Sequence, residues 1–214
     1  MPLFNFRWFA LACGLVAASG AGCAQAQTPQ PQDLELARQA GFPDSTVSVL
    51  FRHGSDLRRL QDVSGRPVAG VTVAVPGSRA SQAVRALQTT LGGAHVVFKS
   101  EQNFGDGPDR VAVLRSSDRY DALRTMGTNG TNYDIDTDSI ITRLREWDRR
   151  YGLTLVGAGD DWVELEVGRA PSDWLALAHE IHELCPDVVD QGTETVEALA
   201  AELEKSRHIF LWWD

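Results

Sequence analysis

Two groups of residues have types and spacings that could do chemistry. His179, His182 and Cys185 recur at three-residue intervals, which could offer two imidazoles and a thiolate to zinc or a thiol nucleophile to a histidine base. A helical wheel argues against both readings. Cys185 falls within the apolar stripe, His182 at its edge and His179 almost opposite, so the three do not converge, and a lone Cys on such a stripe reads as a small buried hydrophobe. Asp134, Asp136 and Asp138 open like a calcium-binding EF-hand loop. The sixth position, which needs Gly, is Ser139, and the twelfth, which needs a bidentate Glu, is Arg145. The same carboxylates suit a helix start, where they accept from unpaired N–H groups and face the positive end of the dipole. No catalytic residue, metal or cofactor is assigned.

Phe51-Arg52-His53-Gly54, at the end of a β-branched run, resembles the phosphate-binding motif of histidine phosphatases. That chemistry needs a second, distant His and further Arg residues, and that fold needs alternating strands and helices after the motif. The chain supplies neither, so the match is read as coincidence. Three polar segments contain side chains that their own packing does not demand: the loop Asn129–Asp136, the turn Asp187–Gln191 and the terminal Trp213-Asp214. The candidate binding residues are Asn132, Asp134, Asp187, Asp190, Gln191 and Trp213. These segments are expected to meet at one end of a C-terminal sheet, as a polar site or as a structural lock. The lock is favoured, because Asp and Asn near helix starts usually serve the backbone.

The elements that must position them follow from periodicity and turn chemistry. Asp33–Ala40 reads as a short helix closed by Gly41. Thr46–Arg52 and Val68–Val75 are β-branched and predict strands, with Ser64-Gly65-Arg66-Pro67 as the turn between them. Helical spacing of Ala80, Ala83, Val84, Leu87 and Leu91 predicts a helix over 78–91, stopped by Gly92-Gly93. Strands follow at 94–99 and 110–115, then a short helix over 118–126. Asp136 or Thr137 caps a longer helix with Ile140, Ile141, Leu144, Trp147 and Tyr151 on one stripe. Leu153–Val156 and the alternating Trp162–Val167 read as strands, the second half-buried. Two more helices follow, one carrying Trp174, Leu177, Ala178, Ile181, Leu184 and Cys185, the other capped near Thr193. His208–Trp213 returns as a strand, which places its two indoles on opposite faces. The pattern predicts an α+β fold with a mainly antiparallel sheet packed against helices, in two lobes, 46–125 and 126–214.

The chain has 214 residues and a formal charge of −9. Residues 1–26 read as a signal peptide: one basic residue, Arg7, then an apolar run too short for a stable membrane anchor. Gly20-Ala21-Gly22-Cys23 resembles a lipoprotein processing site, with Cys23 lipidated, although Gly20 stands where that motif has Leu or Val. The alternative is ordinary cleavage after Ala24-Gln25-Ala26. Residues 27–45 form a tether and the short helix. Without residues 1–26 the chain has 19 basic and 29 acidic residues, a net −10. That balance argues against nucleic acid as a partner and leaves membrane attachment to the lipid anchor. Once Cys13 and Cys23 are removed or modified, Cys185 has no partner, so packing rather than disulfides must hold the fold.

Glu183-Leu184-Cys185-Pro186-Asp187, Asp190-Gln191-Gly192-Thr193 and the closing Trp212-Trp213-Asp214 together resemble the signature of a bacterial family, domain of unknown function 4253. Thr128–Asp136 with Leu144–Asp148, and Val156–Gly159 with Trp162–Leu165, resemble the same family. The resemblance covers about Thr125 to Asp214 and implies no settled activity, cofactor or catalytic residue. The expected function is that of an exported protein on the periplasmic side of the envelope. There it would act as a non-enzymatic binding module for an unidentified protein partner, inhibitor and immunity roles included. The alternative is a hydrolase or transferase whose site is assembled from dispersed polar residues of the C-terminal domain. Cys23→Ser should release the protein from the membrane fraction on cell fractionation. Equal partitioning of the variant and the parent would rule out lipidation at Cys23.

Overall fold

The computed structural model describes residues 28–214. The signal-peptide reading, the lipidation of Cys23 and the alternative cleavage after Ala26 lie outside the described residues. Seven strands form one sheet: β1 (Ser55–Gln61), β2 (Pro67–Pro76), β3 (Val96–Glu101), β4 (Pro108–Leu114), β5 (Leu153–Ala158), β6 (Trp162–Val167) and β7 (His208–Trp212). Their order is β1-β2-β4-β3-β5-β6-β7. Every pairing is antiparallel except β3–β5. The helices are α1 (Pro31–Gln39), α2 (Asp44–Leu50), α3 (Gly77–Leu91), α4 (Asp121–Met126), α5 (Thr137–Tyr151), α6 (Trp174–Leu184) and α7 (Val196–Ser206). The α+β architecture with a mainly antiparallel sheet is therefore observed.

The buried apolar side chains form two clusters, one on each face of the sheet. On one face α1–α3 bring Ala37, Leu50, Val84 and Leu87 against Val71, Val73, Val97, Val111 and Val113. On the other, α4–α7 bring Leu123, Leu144, Trp147, Ile181 and Leu203 against Phe98, Ala112, Leu155, Val163, Leu165 and Leu211. Strands covered on both sides read as near-continuous apolar runs, and 96–98 and 111–114 are of that kind.

The expected strand Thr46–Arg52 is a helix, α2. Pro43 precedes its first turn, Asp44 lies in that turn, and Thr46, Val47 and Leu50 are buried at helical spacing. Tertiary packing of one stripe outweighs the β-branched composition. The first strand instead occupies Ser55–Gln61, whose charges hid it. Arg52-His53 then sits in the turn after a helix, which removes the strand end that a phosphatase motif requires. The other helix starts fall close to expectation: Asp136 Oδ1 accepts from Ser139 N at 2.7 Å. The last cap is Thr195 rather than Thr193, its Oγ1 accepting from Ala198 N at 3.1 Å.

The single parallel contact joins the two halves of the sheet, with Lys99 opposite Gly157. Three side-chain devices cross it. Gln88 of α3 donates from Nε2 to Val97 O on β3 at 2.9 Å and to Leu155 O on β5 at 2.7 Å. Arg85 pairs with Glu166 at 2.5 Å. Lys99, on β3, reaches over β5 to Glu164 on β6, in an ion pair 5% and 6% exposed. Glycine at 157 is required there, since a Cβ would lie 2.5 Å from Trp162 Cζ3 and 3.3 Å from Lys99 Cβ.

Alternation along β6 places Glu164 on the solvent side, but the structure buries it. Burial alone would push its carboxyl up. The hydrogen bond with His208 Nε2, at 2.8 Å, and the Lys99 ammonium outweigh burial and hold it below its ordinary value of 4.5. Stability from this group is therefore fully present above the unfolded-state value and lost as pH falls through the lower folded one. Lys99→Met should cost about 3–5 kcal/mol, because it removes the cation from a buried carboxylate and leaves it with His208 alone. Lys99→Met with Glu164→Leu should recover most of that loss in urea unfolding. A double variant no more stable than the single one would show that the pair is not the joint.

Candidate functional site

The three polar segments meet at one end of the sheet, where β5 turns into β6 and β7 ends. The turn is clamped through its backbone. Thr128 Oγ1 donates to Gly159 O at 2.5 Å, and Asn129 N to Asp160 O at 2.9 Å. Trp213 N donates to Asp161 O at 2.9 Å. Thr128 is fully buried, so this clamp is fixed from the interior. It holds Asp160 and Asp161 on one wall of a cleft of about 250 Å³ whose other walls are Asn129, Thr131, Asn132 and Trp213. Trp213 is 4% exposed and donates from Nε1 to Leu184 O at 3.0 Å. Its ring lies against Gly130, where a Cβ would come within 2.7 Å of Cδ1. The loop 129–136 can therefore approach the indole only because residue 130 has no side chain.

Behind that wall Asp187, 2% exposed, ties three segments together. Its Oδ1 accepts from Tyr133 Oη at 2.5 Å and from Gln191 Nε2 at 2.8 Å, and its Oδ2 accepts from Asp214 N at 2.9 Å. The hydrogen bond to this carboxylate pushes the Tyr133 phenol up to about 12, with partial burial and the charges of Asp187 and Asp190 acting in the same direction.

The six candidate binding residues thus separate by surroundings. Asn132 and Trp213 line the cleft. Asp187 and Gln191 belong to the lock. Asp190, exposed on the π-helical turn Val188–Thr193, lies 3.4 Å from His182 Nε2. Asp134 is exposed and ends the 3-10 turn Thr131–Tyr133 in the left-handed region, φ 55°. Sequence reading did not single out Asp160, Asp161 and Tyr133. Adjacent acids after Gly157-Ala158-Gly159 signal only a polar turn, and nothing local announces that Thr128 and Trp213 will hold it.

Asp161 stays open to solvent on the free side of the cleft. Partial burial nevertheless pushes its carboxyl up, and the charges of Asp160 and Asp214 add to the shift. None of the six lining residues is Lys, Arg or His. Cys185 is not among the residues that line the cleft. It is fully buried, burial pushes its thiol up to about 12, and Sγ donates to Trp212 O at 2.8 Å. His179 is exposed and His182 half-buried, and no group of three or more His, Cys, Asp or Glu side chains among the described residues is placed to hold a metal ion.

Fold and site together define an α+β fold in which Trp213 and Asp214 are tied to Leu184 and Asp187. Residues 110–214, the C-terminal part of the chain, match the family model described as Domain of unknown function (DUF4253). The match begins in β4, earlier than the motif resemblance, and so takes in the strand beside β3 as well as everything beyond the parallel joint. No curated protein and no solved structure matches the chain.

Asp187→Ala should lower stability by about 2–3 kcal/mol, because it removes three hydrogen bonds to a buried carboxylate at once. Asn132→Ala and Asp190→Ala should melt within about 1 °C of the parent, as substitutions away from packed features do. If Asn132→Ala melts as low as Asp187→Ala, the cleft loop is part of the lock and not a separate surface.

Proposed function

We propose that this protein is an exported binding module of the cell envelope, and that it engages a protein partner through the end of the C-terminal sheet. The observation that carries the reading is the juxtaposition there of an acceptor-rich cleft with half-exposed indoles. Asp160, Asp161, Asn129 and Asn132 supply acceptors, and no lining residue supplies a positive charge. Cross-strand register pairs Trp162 with Trp212 at the same end of the sheet. Trp162 stacks on Phe210 at 5.8 Å and 16°, and Phe210 contacts Trp212 at 5.9 Å. Rigid aromatic anchors beside polar groups are the composition of interface centres. The shifted carboxyl of Asp161 favours a basic side chain as the group received, because a cation would relieve its repulsion with Asp160 and Asp214. Inhibitor and immunity roles are instances of such a module, and attachment through Cys23 would hold it at the periplasmic face.

A second reading, a hydrolase or transferase, is favoured by one observation: a carboxyl pushed up in a cleft can serve as a general acid. The two readings separate experimentally. A photo-crosslinking residue in place of Asn132, introduced in growing cells, should capture one protein. Adding Asp161→Asn should abolish that adduct while leaving the melting temperature unchanged or raised. A photo-adduct pattern at 132 no different from that at exposed Leu175 would sink the binding reading.

A further inference from the structure

A second cleft, of about 320 Å³, lies on the N-terminal half of the sheet, bounded by the end of α4 at Met126. Its wall carries Arg58 and Arg59 of β1, Thr72 of β2, Arg110 of β4 and Ser100 of β3. Register explains the gathering, since Arg58 faces Thr72 across β1–β2, and Ala74 faces Arg110 across β2–β4. Irregularities between Ser55 and Arg58, between Arg59 and Gln61, and between Lys99 and Glu101 all fall on the strands that border it. Bulges of this kind re-aim side chains out of the plain alternation.

Hydrogen-bond accounting in this cleft shows more donors than acceptors. Arg110, whose side chain is 7% exposed, donates to Thr72 Oγ1 at 2.8 Å and Thr72 O at 3.2 Å, and to Asp56 Oδ2 at 3.0 Å and Asp56 O at 2.7 Å. Arg58 also pairs with Asp56 Oδ2, at 2.6 Å, so one carboxylate oxygen serves two guanidinium groups. Arg59 donates from one terminal nitrogen to Val68 O at 2.8 Å. Its Nε is buried and has no hydrogen-bond partner among the described residues. The Ser100 hydroxyl makes only a 3.5 Å contact, to Arg110 O. Three guanidinium groups face two carboxylates, Asp56 and the exposed Glu101, in a chain whose overall charge is −9. Guanidinium groups in fixed geometry suit planar or tetrahedral oxyanions, and a low-dielectric cleft concentrates their field.

We propose that this cleft binds a small oxyanion, a phosphate or carboxylate group, between Arg58 and Arg110, in competition with Asp56. The anion accepts from Arg58 and from the remaining Arg110 N–H, and Ser100 completes the donor set. This inference does not depend on the reading of the sheet-end cleft. Asp161→Asn should leave it untouched.

The test is calorimetric titration of the folded chain with inorganic phosphate and, separately, with acetate at low ionic strength. Saturable one-to-one binding of either anion is expected, weakening as salt is raised. Binding of phosphate alone assigns a tetrahedral dianion, whereas binding of acetate assigns a carboxylate group. Arg58→Gln, at an exposed side chain, should weaken binding about tenfold, the loss of one charge-assisted hydrogen bond. Asp56→Asn should tighten it several-fold by removing the competing carboxylate. Because Asp56 also anchors Arg110, Ser100→Ala provides a further variant, expected to weaken binding with melting unchanged. The proposal is overturned if neither anion binds saturably to the parent chain, or if Arg58→Gln binds as tightly as the parent.

Discussion

The parallel contact between β3 and β5 is the joint on which the rest of the molecule depends. Parallel neighbours cannot be joined by a tight turn, so the chain travels through β4, α4 and α5 before returning beside β3. The register pair at that joint is Lys99 with Gly157. Side chains reinforce the alignment of the two halves: the Gln88 carboxamide bridging two carbonyls, the Arg85–Glu166 pair, and the buried Lys99–Glu164 pair. A buried ion pair is a poor source of net stability compared with apolar packing, but it tolerates few alternative arrangements. A one-residue slip at β3–β5 would part Lys99 from Glu164, leaving the ammonium buried without its carboxylate and the carboxylate with His208 alone, and that difference favours the observed register.

The same joint decides where the sheet-end cleft can be. Glycine at 157 lets Trp162 lie across β5, and the turn that follows carries Asp160 and Asp161 outward while its carbonyls are held by Thr128, Asn129 and Trp213. The cleft is consequently built on backbone that is pinned from both sides, with Asp187 fixing the loop and the C-terminus behind it. A polar surface supported in this way has little conformational freedom left to lose. The two clefts are opposite in character. The one at the sheet end is acceptor-rich, and the one over β1–β4 is donor-rich, its single buried arginine held by a carboxylate that it shares.

Much of this was legible in the residues alone. Helical spacing of apolar side chains placed α3, α5, α6 and α7, and alternation with turn chemistry placed β2–β7 to within a few residues, because those signals are local. The mainly antiparallel sheet followed from strands adjacent in sequence, and the motif at Glu183–Asp187 with Trp212-Trp213-Asp214 pointed to the family that residues 110–214 match. Cys185 was read as a packing residue, and it is fully buried. Only tertiary structure could decide the remainder. Whether Thr46–Leu50 coils or extends depends on what its one apolar stripe finds to pack against, since β-branched residues serve either state. Glu164 reads as a solvent-side residue until the partner supplied by β3, 65 positions earlier, is in place. Asp160, Asp161, Arg58 and Arg110 carry no local mark of function. Their meaning comes from long-range register, which brings chain segments together through hydrogen bonds that no short window of sequence contains.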